Sequence, residues 1–106
     1  MVGLPNLEEG LIRMAIYFDG MGHMVSDTSI EELHEFAQKL GLKKTWFQNK
    51  GTDKHWIPHY DLTTYNARRR AKAAGAIEVF GTEVVGILRN APYKDRRQDY
   101  LGEGMS

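Results

Sequence analysis

The stretch MAIYFDG (residues 14–20) decides the fold that we predict from the sequence. Its first five residues are apolar, include the β-branched Ile16 and the aromatic Tyr17 and Phe18, and stop at an Asp-Gly pair. Such a run is typical of a short buried strand that ends in a turn. Asp19 follows the strand directly, and a carboxylate fixed there by a rigid strand is a candidate general base or metal ligand. A turn-forming Asp before Gly is an equally good interpretation.

A helix is expected next, after a loop over residues 20–25. The segment 26–29 (Ser-Asp-Thr-Ser) offers several N-cap side chains, and Ser29 has an acid three residues later, which is capping-box spacing. Apolar residues then recur at three- and four-residue steps, and Gly41 supplies a left-handed C-cap. Within this segment, Asp27 has two interpretations, a helix cap or a ligand-binding carboxylate.

The remaining elements complete a repeating pattern of strands and helices. We predict a strand at residues 45–48, a long loop at 49–60, a helix from Asp61 or Thr63 to Ala74, a strand at 76–80 and a short helix from Thr82 towards Pro92. The order βαβαβα indicates an α/β fold: a small, mostly parallel three-stranded sheet with flanking helices and right-handed crossovers.

Length and composition fit one globular domain. The 106 residues are 42% apolar and 26% charged, which is ordinary for a globular protein. We expect a single domain over residues 1–92 and a C-terminal tail at 93–106 that is flexible or lies at an oligomer contact. No apolar run approaches the about 18 residues needed to span a bilayer, and the N-terminus lacks a signal-peptide pattern, so we expect a cytoplasmic protein.

Two compositional facts exclude classes of function. The chain has no cysteine, so disulfides, thiolate zinc sites and a cysteine nucleophile are excluded. The formal net charge is zero, which argues against a duplex DNA binder, whose surface is usually basic. Short strands leave open sheet edges, so we expect a homodimer.

The candidate catalytic residues are the histidines and acids expected along one rim of the sheet. His59 and Asp61 alternate in an extended segment, so they point to the same side, and a carboxylate beside an imidazole orients it. The alternative is that Asp61 only caps a helix and His59 is exposed. His34 and Asp19 complete this set, although a buried structural histidine is the commoner case for His34.

The candidate ligand-binding residues are aromatic and basic side chains, together with the polar residues His23, Asp27 and Gln48. Trp46, Trp56 and Tyr60 offer faces on which a nucleobase can stack, and the alternative is core packing. Guanidinium groups suit phosphate, so Arg68 or Arg70 is a candidate contact, and the alternative is a solvated helix face.

A set of short motifs, taken together, resembles one family. In chain order they are HM (23–24), SDT (26–28), ELHEFA (32–37), GL (41–42), WFQ (46–48) and HYDL (59–62). They resemble the domain-of-unknown-function family DUF4031, small proteins of bacteria and their phages, over residues 14–80. That family has two acids after the first strand where this chain has Asp19 and then Gly20, which weakens a paired-carboxylate metal site. The resemblance implies no activity, but it marks these motif residues: Asp19, His23, Asp27, His34, Trp46, Gln48, His59, Asp61 and Arg68 or Arg70.

These observations lead to three functional expectations. The first is a protein that binds, and in one version cleaves, a nucleotide-like phosphorylated ligand. In a phage, that ligand could be a host immune nucleotide signal that the protein sequesters or degrades. The second is a metal-dependent phosphodiesterase or nuclease, for which the cofactor is a divalent metal of unknown identity. The third is a protein-interaction module that blocks a host factor.

Overall fold

The computed structural model describes residues 15–103. This part of the chain forms a five-stranded sheet, three α-helices and two short 3-10 helices. The strands are β1 (Ile16–Phe18), β2 (His23–Ser26), β3 (Gln48–Gly51), β4 (Trp56–Asp61) and β5 (Ile77–Glu78). The helices are α1 (Ile30–Lys39), α2 (Tyr65–Ala73) and α3 (Gly81–Asn90), and the 3-10 helices are Lys44–Trp46 and Arg97–Tyr100.

The sheet is mixed and mostly antiparallel. Its strand order is β3-β4-β2-β1-β5, and only β1 and β5 run parallel. The prediction of a mostly parallel three-stranded sheet is therefore wrong, although the chain does combine helices with one sheet. The error lies in two segments predicted as loops, because each contains the turn of a β-hairpin and at least part of one of its strands. Antiparallel strands need only a short turn between them, whereas parallel strands need a long crossover.

The first hairpin joins β1 to β2 through a turn that Asp19 organises. The Asp19 Oδ1 atom accepts hydrogen bonds from the backbone N–H groups of Met21 and His23, each at 3.0 Å. Gly22 has a φ of +90°, and a Cβ atom there would lie 2.3 Å from the backbone oxygen of Leu62. The predicted loop over residues 20–25 is thus a tight turn followed by a strand, and glycine is required where that turn approaches the end of β4.

The second hairpin joins β3 to β4, where a long loop was predicted. The prediction of a strand at residues 45–48 is wrong in most of its length, because a 3-10 helix precedes β3. The β3 sequence Gln-Asn-Lys-Gly carries no apolar signal, and β4 contains Pro58, a residue that is rare within strands. Asn49 explains the pairing: its amide donates to the backbone oxygen of Tyr100 at 2.7 Å and accepts from the Trp56 indole at 2.6 Å.

The helix predictions are closer to the structure. The Ser29 hydroxyl caps α1 by accepting from the backbone N–H of Glu32 at 3.0 Å, and the chain leaves this helix at Gly41 with a φ of +83°. Helix α2 is capped by Thr64, not by Asp61 or Thr63 as predicted. This shift matters for function, because it leaves the Asp61 carboxylate at the end of β4 with no capping role.

The segment after α3 packs on the sheet. Tyr93 and Tyr100 are buried in the hydrophobic core, the Tyr93 hydroxyl donates to the backbone oxygen of Ser26, and the Tyr100 ring stacks on Trp56 with centroids 5.7 Å apart. The predicted domain boundary after residue 92 and the predicted oligomer contact stay predictions. In residues 15–103 no helix combines the length and the apolar character needed to cross a membrane.

Candidate metal centre

The pairing of β2 with β4 gathers histidines and acids on one face of the sheet. His23, the first residue of β2, lies directly opposite Asp61, the last residue of β4. His59 stands two residues before Asp61 on the same strand, so its side chain points to the same face. Asp19 directly follows β1 and lies beside His23, because its backbone N–H donates to the backbone oxygen of His23 at 3.3 Å. The structure thus brings together four residues singled out from the sequence.

The side chains of these residues are in contact. His23 Nδ1 lies 3.0 Å from Asp19 Oδ2, and His59 Nε2 lies 3.2 Å from Asp61 Oδ1. The two imidazole rings meet edge to face, with centroids 5.2 Å apart. One ligand-capable atom from each of His23, His59 and Asp61 lies within 4.8 Å of the other two. We name these three residues the His-Asp cluster; it is the only such group of three or more among residues 15–103.

Hydrogen bonds at one nitrogen of each imidazole decide which ring nitrogen carries the proton and which keeps its lone pair. His59 Nδ1 lies 2.9 Å from the backbone oxygen of Ile57, and a carbonyl only accepts, so Nδ1 carries the proton. In the neutral ring the lone pair is then on Nε2, which faces the Asp61 carboxylate. Likewise the Asp19 carboxylate accepts from His23 Nδ1, which leaves His23 Nε2 with its lone pair. Carboxylate or carbonyl partners of this kind orient the histidine ligands of metals.

The electrostatics of the cluster fit this assignment. Burial lowers the pKa of His59 below its ordinary value, although the hydrogen bond to Ile57 and the charge of Asp61 act in the opposite direction. Burial raises the pKa of Asp19, but hydrogen bonds from His23 and Met21 outweigh it, so the pKa of this carboxyl lies below its ordinary value. At neutral pH we therefore expect a neutral His59 ring and an ionised Asp19.

His34 and Tyr60 lie on the opposite face of the sheet and do not join the cluster. Tyr60 stands between His59 and Asp61 on β4, so strand alternation turns its side chain the other way. His34, on α1, makes hydrogen bonds at both ring nitrogens, with the Tyr60 hydroxyl at 2.7 Å and with Glu103 Oε1 at 3.1 Å. Burial raises the pKa of Tyr60 to about 12.

Trp56 and Asp27 also have structural environments away from the cluster. The Trp56 ring is buried between Tyr93 and Tyr100. The Asp27 carboxylate joins the ends of β1 and β2, since it accepts from the backbone N–H of Ala15 and the hydroxyl of Tyr17, each at 3.2 Å. Neither side chain has a contact with the His-Asp cluster among the hydrogen bonds of residues 15–103.

Trp46 and Gln48 border a cleft that begins at Asp61. The cleft has a volume of about 310 Å³, and we name it the Trp46 cleft. Its lining residues are Leu42, Trp46, Gln48, Asp61, Thr63 and Ala67. Gln48 lies directly opposite His59 in the pairing of β3 with β4. These two ligand-binding candidates thus lie next to the cluster.

The two arginine candidates lie on α2. Arg68 donates to the backbone oxygen of Leu62 at 3.1 Å, immediately after Asp61 in the chain. Arg70 donates instead to the backbone oxygen of Leu40, at the end of α1. Of the two, Arg68 is the one whose hydrogen bond places it close to the cluster.

Several residues at the site were missed from the sequence. The Ile57 carbonyl sets the tautomer of His59, and no sequence signal marks a backbone group. A second cleft, beside Asp19, is lined in part by Met21, Ile77, Phe80 and Gly81; we name it the Phe80 cleft. Phe80 is 79% exposed, and in the sequence it is the last residue of the strand predicted at 76–80. The parallel pairing of β5 with β1 brings Phe80 to this edge.

Comparison with known proteins agrees with the motifs described above. A family model with the description "Protein of unknown function (DUF4031)" matches residues 12–91. The matched range contains all five strands, all three α-helices and every residue of the His-Asp cluster. No curated protein and no solved structure matches the chain. The resemblance seen in the motifs is confirmed, and the chain belongs to the DUF4031 family of proteins of unknown function.

Proposed function

We propose that this protein is a divalent-metal-dependent hydrolase of phosphate esters, with His23, His59 and Asp61 as its metal ligands. The observation that carries the proposal is the convergence of these three side chains within 4.8 Å on one face of the sheet. They come from two strands, so a rigid scaffold holds them, and rigid elements position metal ligands better than loops do.

The arrangement of these side chains favours a bound cation between His59 and Asp61 over a direct ion pair of the two residues. In the neutral form of His59, the Nε2 lone pair and the Asp61 carboxylate face each other at 3.2 Å, and both are acceptors. A positive ion between them removes this repulsion. His23 Nε2 adds a third lone pair, and Asp19 holds the His23 ring from behind at 3.0 Å. Asp19 is therefore a positioning residue, although the sequence placed it with the catalytic groups.

The donor set indicates which metals fit. Two imidazole nitrogens and one carboxylate suit zinc, manganese, iron or cobalt, whereas calcium and magnesium prefer oxygen ligands alone. Three protein ligands are typical of catalytic sites, because a coordination position stays open for water or substrate, while structural zinc sites are closed by four. The side chains of His23 and Asp61 are 40% and 43% exposed, so water and a substrate have access to this position.

Hydrolysis is the reaction that an accessible site of this kind supports best. A divalent metal lowers the pKa of a bound water and polarises a phosphoryl oxygen. Hydrolysis then forms a bond from the water oxygen to phosphorus, breaks the ester bond, and transfers a proton to the departing oxygen. The same donor set with iron also serves oxidations, but reactive oxidising intermediates need a site closed to water, and this cluster is open.

Positive charge next to the cluster favours an anionic substrate. The Arg68 guanidinium is anchored on the Leu62 carbonyl, one residue beyond Asp61. No carboxylate of residues 15–103 lies within ion-pair distance of Arg68. A phosphate group on the metal therefore has a second cation available, and guanidinium groups match phosphate oxygens in geometry.

The test is hydrolysis by the purified protein under controlled metal. We expect protein freed of metal by a chelator to be inactive on bis(p-nitrophenyl) phosphate and p-nitrophenyl phosphate, and zinc, manganese or cobalt to restore activity to at least one of the two esters. Asp61→Asn should lower that activity more than about 100-fold, because it removes a ligand, and even outer hydrogen-bond partners of ligands contribute about 10- to 100-fold. The control is Asp95→Asn, an exposed carboxylate paired with Lys94, which should keep full activity.

Two results would contradict the proposal. One is the absence of zinc, manganese, iron and cobalt binding by calorimetry in folded wild-type protein. The other is metal-stimulated activity that is equal in wild type and Asp61→Asn. The ideas of a phage origin, a host immune signal, a homodimer and a cytoplasmic location stay predictions.

A further inference from the structure

The Trp46 cleft starts at a proposed metal ligand, so one substrate can occupy the metal and the cleft together. We infer that this cleft binds a planar nitrogen heterocycle, and that the substrates are nucleoside phosphates whose base lies in the cleft while the phosphate lies at the metal. The assignment of the substrate class rests on the proposed function, whereas base binding by the cleft can be tested without it.

The walls of the cleft suit the flat face of a ring. Trp46 is 48% exposed, unlike Trp56, and it lines the cleft together with Leu42 and Ala67. The Lys43 ammonium lies 5.7 Å from the centroid of the Trp46 ring, a contact that restrains the indole. An exposed, restrained aromatic face beside a positive charge is the usual platform on which proteins stack nucleobases.

The polar groups of the cleft suit the edge of a ring. Gln48 carries an amide with both a donor and an acceptor, and Thr63 carries a hydroxyl that does both. Nucleobases present donors and acceptors side by side on their edges, and amides match such pairs. Gln48 is also placed opposite His59, so its side chain is on the same face of the sheet as the cluster.

The size of the cleft limits the occupant to one ring system. A volume of about 310 Å³ is at the lower end of the about 300 to 1,000 Å³ found for small-molecule sites. A single base fits such a space, whereas an extended strand needs a longer groove with several stacking surfaces. The cleft therefore takes a mononucleotide or one nucleotide unit of a larger molecule.

The experiment uses adenosine, uridine, their 5′-monophosphates and ribose 5-phosphate as probes. In nitrogen–proton correlation spectra, we expect nucleosides and nucleotides to shift the indole N–H signal of Trp46. The indole signal of Trp56 should not move, because that group is buried and bonded to Asn49. The nucleoside monophosphates should bind and react at least about 10-fold better than ribose 5-phosphate, in line with the about 5- to 150-fold that one stacked base contributes.

Two matched variants locate the base. Trp46→Ala should abolish the preference for nucleotides over ribose 5-phosphate, and Phe80→Ala, an exposed aromatic in the other cleft, should keep it. The inference is overturned if wild type shows no such preference, or if Phe80→Ala abolishes it and Trp46→Ala does not.

A zinc titration of the same samples separates this inference from the proposed function. Protein that binds zinc and cleaves phosphate esters without a preference for nucleotides contradicts only the inference. Protein that binds nucleosides at Trp46 but no metal contradicts only the proposed function, and the cleft assignment then stands as a binding site.

Discussion

His34 and His59 are equally buried, each 8% exposed, but they differ in what surrounds their ring nitrogens. His34 forms hydrogen bonds with the Tyr60 hydroxyl and Glu103 and touches the Phe47 ring, with centroids 4.7 Å apart. His59 donates from one nitrogen to a carbonyl and directs the other at a carboxylate and a second histidine. Burial therefore does not distinguish the two. The histidine whose lone pair converges with other ligand atoms is the functional candidate.

The largest expected difference between His59 and His34 is in what each contributes to zinc affinity. We expect His59→Gln to weaken zinc binding more than about 100-fold, because a ligand is lost and outer partners alone contribute about 10- to 100-fold. His34→Gln removes a histidine of equal burial from the other face and should leave the zinc affinity within about 2-fold. Calorimetry or competition with a chromophoric chelator measures both, and circular dichroism confirms that each variant is folded.

The opposite result would break the comparison. If His34→Gln weakened zinc binding as much as His59→Gln, the two faces would act as one unit through Tyr60 and the backbone of β4. The His-Asp cluster alone would then not account for zinc binding.

A smaller effect is expected from the carboxylate behind His23. Asp19→Asn keeps the shape of the side chain but weakens its hold on His23 Nδ1, so zinc affinity should fall by about 10- to 100-fold. Asp27→Asn is the matched control, since Asp27 also accepts a backbone N–H at a strand end but lies outside the cluster. Equal zinc affinities in the two variants would show that Asp19 only shapes the turn.

The sequence predicted helix α1 and one interpretation in which His59 and Asp61 point to the same side of an extended segment. It did not predict the sheet that holds these residues. Ser29, the apolar spacing and Gly41 are local signals, and local signals are enough to define a helix. Alternation puts His59 and Asp61 on one side of any extended segment. Hairpin β3-β4 was missed because its strands hold Asn49 and Pro58 where a run of apolar residues is expected. Asn49 instead forms hydrogen bonds with Trp56 on the facing strand and with Tyr100, which is distant in sequence.

The partner of the His59 and Asp61 pair could not be predicted either. His23 reaches them only because β2 pairs with β4, which requires the tight turn at Gly22. His34 is separated from the other candidates because α1 holds it on the opposite face of the sheet, beside Tyr60, although the sequence grouped all of them. Strand neighbours depend on contacts that are distant in sequence, and no residue spacing records them.

The burial of Tyr60 should also make the free energy of unfolding depend on pH under alkaline conditions. The pKa of Tyr60 is raised by burial from 10.0 to about 12, so the unfolded chain loses this proton before the folded protein does. The stabilising contribution is therefore complete below about pH 10 and is lost as the pH rises through about 12. Between about pH 10 and 12, the ionisation of Tyr60 alone should lower the free energy of unfolding by up to about 1.4 kcal/mol per pH unit.

Urea titrations at pH 9 to 12 measure this slope, and a variant assigns it. Tyr60→Phe removes this ionisable group, so the free energy of unfolding should fall less steeply with pH than in wild type. Tyr65→Phe replaces an exposed tyrosine and should leave the slope as in wild type. An unchanged slope in Tyr60→Phe would mean that other tyrosines dominate alkaline unfolding.

The smallest effect is expected at the outer partner of His34. Glu103 Oε1 lies 3.1 Å from His34 Nε2, and the Glu103 side chain is 33% exposed, so solvent screens the pair. Glu103→Gln keeps an acceptor at this position and should lower the free energy of unfolding by less than about 1 kcal/mol. Urea unfolding at pH 7 measures it, and zinc affinity should not change. A loss above about 3 kcal/mol would show that the pair behaves as a buried one, and a changed zinc affinity would show that the C-terminal segment communicates across the sheet with the His-Asp cluster.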